Sequence, residues 1–214
     1  PRVGSVQVED RSVGLGGARA VQVTLKMGAG HLQVTGGAEA LMDAHVTYNV
    51  ADWKPTVTYA VGAGRGRLAI VQPTTDDMLH STDNADNEWS VRLNDRVPMD
   101  LSINEGAGTN DLTLGGLSLT GLDVRVGAGE SKVDLGGAWA HGFTATIHSG
   151  VGDLTVRLPD SVGVRVTADN GLGQVDAGNL HWNGDAYVND AYGASPVTIR
   201  VALQHGIGNV ILES

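Results

Sequence analysis

The chain has 214 residues, of which 41% are hydrophobic but only 4% aromatic, with 31 glycines, 6 prolines and no cysteine. A core must therefore come from Val, Leu, Ile and Ala in thin layers, and disulfides and thiolate metal sites are excluded. The formal net charge is −10 and lysine occurs only at Lys26, Lys54 and Lys132, which argues against nucleic acid as a partner because phosphate contacts need clustered cations.

No stretch reaches the roughly 18 apolar residues of a membrane span. The opening Pro1-Arg2-Val3-Gly4 has neither a start methionine nor a signal peptide, so a trimmed product is expected. Residues 1–27 read as a polar strand followed by Val21, Val23 and Leu25, expected to cap the open end of a stack. Gly28-Ala29-Gly30 follows, the first of seven Gly-x-Gly tripeptides; the others begin at Gly62, Gly106, Gly127, Gly150, Gly171 and Gly206. The best helical candidate, Ala38 to Ala44, is short and reads equally well as a strand continuing from Gly36-Gly37.

The run from Thr74 to Glu88 is the longest polar loop. Its Asp76, Asp77, Asp83, Asp86 and Glu88 are hard oxygen ligands of the kind calcium takes. The loop lacks an EF-hand glycine, so a solvated acidic loop is the plainer reading and no metal is assigned.

From Gly106 the tripeptides recur at intervals of 21, 23, 21 and 35 residues. Within each interval apolar residues alternate with polar ones: Leu112 and Leu114, then Leu122, Val124 and Val126; Val133 and Leu135, then Phe143, Ala145 and Ile147; Leu154, Val156 and Leu158, then Val164 and Val166. A period of two is that of a strand with one wet face. Gly115-Gly116, Gly136-Gly137 and Pro159-Asp160 supply the turns between the paired strands. A unit this small cannot bury its apolar face alone, whereas stacked units align their rows into a continuous core. The expected fold is all-β, a β-solenoid-like stack of short strands in glycine-cornered coils of about 21 residues; an antiparallel sandwich with glycine-rich hairpins is the competing arrangement. One domain over 1–214 is expected, less regular over 1–105, with regular coils over 106–214. The longer final interval carries an insertion near 179–194. Its Trp182, Asp185, Tyr187, Asp190 and Tyr192 have the composition of a binding patch, or form a cap on the last coil.

Catalytic signatures are missing. None of the seven tripeptides extends to Gly-x-Gly-x-x-Gly, the third glycine being replaced by Gln33, Arg67, Asp111, Lys132, Thr155, Asp176 or Ile211, so all seven read as turn glycines at coil corners. Histidines lack zinc spacing, and His148-Ser149 lacks the nucleophile elbow. The histidines, His31 and His205 beside corners included, read as exposed surface positions. Asp111, Asp123, Asp134 and Asp153 fall on outward strand positions, where they solvate the sheet, and Arg125, Arg157 and Arg165 are placed to pair with such groups for tenths of a kcal/mol. No catalytic or cofactor-binding residue is assigned.

The segments Gly28 to Ala38, His45 to Val50, Asn87-Glu88-Trp89, Val97 to Leu101 and Asn189 to Gly193 resemble the bacterial toast-rack proteins (DUF2154), relatives of the LiaF-like and adhesin-related DUF4097 families. The resemblance spans nearly the whole chain. It implies a stacked β architecture carried outside the membrane in the cell envelope behind a lipoprotein or signal segment, links to envelope stress or adhesion, and no catalytic residues. The expectation is a non-enzymatic envelope or surface protein, a rigid acidic interaction scaffold for a protein or cell-wall partner, its end coils open to pairing with a second copy. The alternatives are a polysaccharide-acting or carbohydrate-binding β-helix and a calcium-dependent binding module.

Overall fold

The computed structural model describes residues 3–73 and 84–214. The chain is all-β, a solenoid-like stack. Its strands are β1 (Val3–Val13), β2 (Ala20–Thr35), β3 (Met42–Val50), β4 (Thr56–Gly62), β5 (Arg65–Val71), β6 (Asn87–Leu93), β7 (Met99–Thr113), β8 (Leu119–Asp134), β9 (Thr144–Val151) and β10 (Leu154–Arg157). They continue as β11 (Gly163–Leu172), β12 (Val175–Asp176), β13 (His181–Trp182), β14 (Tyr187–Val188), β15 (Thr198–Ile207) and β16 (Val210–Glu213). The only helical element among the described residues is a 3-10 turn, Ala51–Trp53, and the Ala38 to Ala44 candidate is bends leading into β3. No helix among them is long and apolar enough to cross a membrane.

Each coil turns at its Gly-x-Gly. The first half of β2 pairs in parallel with β5 and its second half with β6, so one strand serves two layers. The coils stack in the order β2, β7, β8, β9, β15, β11, all in parallel. The last coil in sequence thus slots between the two that precede it: β15 lies between β9 and β11, and β16 between β10 and β12. Core residues stack in rows across this order. Leu25, Ile103, Val124, Ile147, Leu203 and Ala168 form one row, and Val34, Leu112, Val133, Val156 and Leu212 another on the second layer. The alternation read from sequence marks Leu25, Leu112, Val124, Val133, Ile147 and Val156 among them, and the buried side chains form one connected cluster against which the partly buried Ala168 packs.

Two expectations need correction. Gly62-Ala63-Gly64 is no corner. It is the turn of the β4–β5 antiparallel hairpin, with Ala63 and Gly64 at φ 51° and 75°. Nor do residues 1–27 act together as a cap, because β2 is an inner coil. The N-terminal end is closed instead by β1 on one layer, antiparallel to β3, and by β4 on the other.

The position of β1 at an edge explains its polarity. Its inward positions carry Gln7, Glu9 and Arg11 opposite Tyr48, Val46 and Ala44. Glu9 accepts from Lys54 (2.6 Å), Arg11 (2.7 Å) and Tyr48 (3.1 Å), and Lys54 above all holds its carboxyl below the usual range. Inward charge on an edge strand blocks edge-to-edge addition.

The glycine corners end at this side on two amides. Gln72 Oε1 accepts from Gly28 N (2.9 Å) and from Asn87 Nδ2 (2.9 Å); Asn87 Nδ2 also donates to Ala29 O (2.6 Å), and Trp89 Nε1 donates to Asn87 Oδ1 (3.0 Å). Side chains here satisfy backbone groups that a further coil would otherwise take.

The insertion near 179–194 packs on the other end of the stack, where β14 pairs antiparallel with β11 at Arg165 and Val166. Its latch is the buried Asn189, whose Nδ2 donates to Val162 O (2.8 Å) and Pro159 O (3.2 Å) while Oδ1 accepts from Val164 N (2.9 Å). Asn189→Ala strands these groups in the interior. It should cost about 3 kcal/mol of stability, measured by urea unfolding, and sensitise residues 179–194 to protease before the remaining coils.

Candidate functional site: a glycine-floored groove

Six corners stack rung on rung. Gly28, Gly106, Gly127, Gly150, Gly206 and Gly171 form one row, and a Cβ on any of the last five would press on the carbonyl oxygen of the glycine in the neighbouring coil. Because these glycines occupy outward positions, the missing side chains leave a groove running across the coils, about 960 Å³ in volume. Its wall is the outward row two residues earlier: Lys26, Asn104, Arg125, His148, Gln204 and Asp169, one from each coil. On the far side, at the corner, the middle residues of the tripeptides form an apolar border. Ala29, Ala107 and Ala128 give way to Val151, Ile207 and Leu172, which are 50%, 50% and 68% exposed.

Behind the floor lies an inward row: Met27, Glu105, Val126, Ser149, His205 and Asn170. Glu105 and His205 are each 4% exposed, and neither carboxylate oxygen nor either ring nitrogen has a hydrogen-bond partner among the described residues. The same holds for Ser149 Oγ. Burial pushes the Glu105 carboxyl up to about 7, with Asn110 opposing the shift. Among the described residues no charged side chain faces it: Met27 and Val126 flank it in the row, while Lys26 and Arg125 stand on the outer surface. His205, expected at the surface, is therefore a correction. It sits at an inward position of β15, which the alternation from Val201 and Leu203 already marks.

The residues singled out from sequence distribute differently. Asp76, Asp77 and Asp83 lie outside the described residues. Asp86 is tied to Asn49, accepting from its Nδ2 at 3.4 Å while its N–H donates to Asn49 Oδ1 at 2.8 Å, and Glu88 is exposed on β6 beside His31. Among the described residues no three His, Asp or Glu side chains converge as a metal site. The structure brings Trp182 and Tyr187 together, edge to face at 5.1 Å, with Trp182 58% exposed. Asp185 pairs with Arg165 at 2.6 Å, and Asp190 lies 3.8 Å from His181. Tyr192 follows Asn189 in the turn that the latch holds. These residues cap the terminal coil, away from the groove wall. Arg157 pairs across strands with Asp134 (3.2 Å), as its outward position implied, whereas Arg125 pairs along its own strand with Asp123 (2.8 Å).

The groove escaped the sequence reading because it exists only after stacking. Its signal was present in the residue two positions before each corner, which is polar in all six coils.

A parallel stack of glycine-cornered coils, closed at each end by antiparallel strands and carrying one long surface groove, defines the architecture. The chain belongs to the toast-rack family: the family described as the N-terminal domain of toast_rack, DUF2154, matches residues 2–157. The crystal structure of a "putative cell adhesion protein" from Clostridium sporogenes is 32% identical, with 98% of this chain and 99% of that one covered, at a TM-score of 0.94. A "putative adhesin" from Bacteroides fragilis is 13% identical over 97% of both chains, at a TM-score of 0.36 that supports no argument. No curated protein matches the chain.

Proposed function

We propose that the protein is a non-enzymatic component of the bacterial cell surface, held outside the membrane, whose first layer and glycine groove form a rigid adhesive face. The observation that carries this reading is the continuity of the groove over six coils, with a polar wall and, next to its glycine floor at the corner, an exposed apolar row that enlarges from alanine to Val151, Ile207 and Leu172. An exposed apolar row beside a polar one is the composition of an interaction surface. Family membership and the likeness to the Clostridium sporogenes protein support an adhesive role. Rigidity supports it too, since the inner coils β7, β8, β9 and β15 are each bound on both sides by parallel ladders, so a ligand meets a preorganised face. The whole chain, 1–214, acts in this reading as one unit.

The test uses purified protein on intact bacterial cells and isolated envelopes. Val151→Glu/Ile207→Glu places two charges on the apolar border without touching the core. It should retain the wild-type melting temperature and lose most surface binding. Binding unaffected by the double substitution contradicts the adhesive face, and turnover of a panel of cell-wall polysaccharides by the wild-type protein contradicts the non-enzymatic reading.

A further inference from the structure

We infer that the groove takes a neutral glycan strand lying across the coils, with about one sugar residue per rung. The inference rests on the adhesive-face reading and specifies its ligand.

The floor comes first. The strands are paired coil to coil on both sides of the floor glycines, Met27 with Glu105 and Ala29 with Ala107 in one case, so the floor is a sheet face, and the groove runs perpendicular to the strands. An extended peptide gains affinity from main-chain pairing with a strand edge, and this floor offers no such edge. Recognition must therefore come from side chains, which the wall presents once per coil. Neighbouring strands repeat at ~4.8 Å, close to the length of one pyranose residue in a β-linked glycan, so successive sugars meet successive wall residues.

Charge selects within that class. Around the groove, Lys26 and Arg125 are balanced by Asp123 and Asp169; the remaining wall positions are Asn104, His148 and Gln204, and the adjacent outward positions are Thr24, Ser102, Thr146, Ala202 and Thr167. In a chain of net charge −10 this face is locally neutral. A polyanion would meet only two cations, one of them already bonded to Asp123. A neutral polyol meets a donor or acceptor at every rung. The apolar border accommodates pyranose C–H faces or the methyl of an acetamido group.

The experiment titrates the full chain, by calorimetry and amide chemical shifts, with the β-1,4-linked hexaoses of glucose and of N-acetylglucosamine, the corresponding disaccharides, and an uncharged peptide of comparable length. At least one hexaose should shift the amides of Gly106, Gly127, Gly150 and Gly206 and bind at least tenfold more tightly than its disaccharide. Asn104→Ala/Gln204→Ala should cost at least tenfold in affinity at unchanged melting temperature, while Thr113→Ala, on the other layer, leaves binding as it was. If neither hexaose shifts the glycine row while Val151→Glu/Ile207→Glu still abolishes cell binding, the glycan inference is overturned and the adhesive face stands. If the peptide alone shifts that row, the ligand is a polypeptide and the inference is equally overturned. If cell binding is also indifferent to that double substitution, both readings fall.

Discussion

Gly129→Ala should leave little or no folded protein at 37 °C. Gly129 is the second glycine of its corner, at φ 128°, where residues with a Cβ are strained, and an added Cβ would overlap the carbonyl oxygen of Gly108 in the neighbouring coil. That oxygen belongs to a backbone locked into the ladder on both sides, so the clash has no flexible partner to absorb it. A loss of at least about 4 kcal/mol follows, a size reserved for such severe local conflicts. Gly116 supplies the control: a Cβ there meets nothing within 4 Å, and its φ is not in the positive range. Gly116→Ala should be neutral or raise stability by less than about 1 kcal/mol. Denaturant unfolding of both variants, with circular dichroism as the readout, checks the pair. Equal effects would mean that the corners are not held by glycine stacking.

Glu105→Gln should stabilise the protein at pH 8 and change little at pH 4. Burial without a countercharge raises the folded-state carboxyl from its ordinary 4.5 to about 7. A raised acid keeps its proton in the fold while the unfolded chain loses one. The group's contribution is therefore most favourable below 4.5, declines as pH rises to about 7, and stays at its penalty above that. A shift of this size corresponds to about 3 kcal/mol. Glutamine is nearly isosteric with the protonated acid and escapes the penalty. Unfolding free energies of wild type and variant should converge at pH 4 and separate steadily to pH 7. A constant difference across that range would show that Glu105 is not buried unpaired. Glu9 acts in the opposite sense: its depressed carboxyl adds stability above its ordinary value and loses it as pH falls.

The corners and the core rows were legible because each coil repeats the same two signals, a Gly-x-Gly and a period-two alternation such as Leu122-Val124-Val126. What the repeat could not encode is which coil neighbours which. Every corner offers the same backbone surface, so nothing local in Gly206-Ile207-Gly208 says that it stacks between Gly150 and Gly171. Gly62-Ala63-Gly64 misled for a related reason, as the same tripeptide serves a hairpin when antiparallel strands flank it. The aromatic insertion was read as either patch or cap; its attachment to β11 through Asn189 is a contact across 25 residues that no local pattern announces, and Trp182 stays exposed on it. The polar row behind the corners stayed hidden because Glu105, Ser149 and His205 each break the alternation once, at a point where the turn already interrupts it.

The most direct test of the adhesive face uses the absence of cysteine from the chain. Ile207→Cys places a single thiol on the apolar border of the groove, and Thr113→Cys places one on the outer surface of the other layer. Each variant is labelled with a maleimide before and after binding to envelope preparations. Labelling at position 207 should fall sharply on binding while position 113 remains as reactive as in the free protein. Protection at 113 with 207 unchanged would place the contact on the other layer and contradict the account.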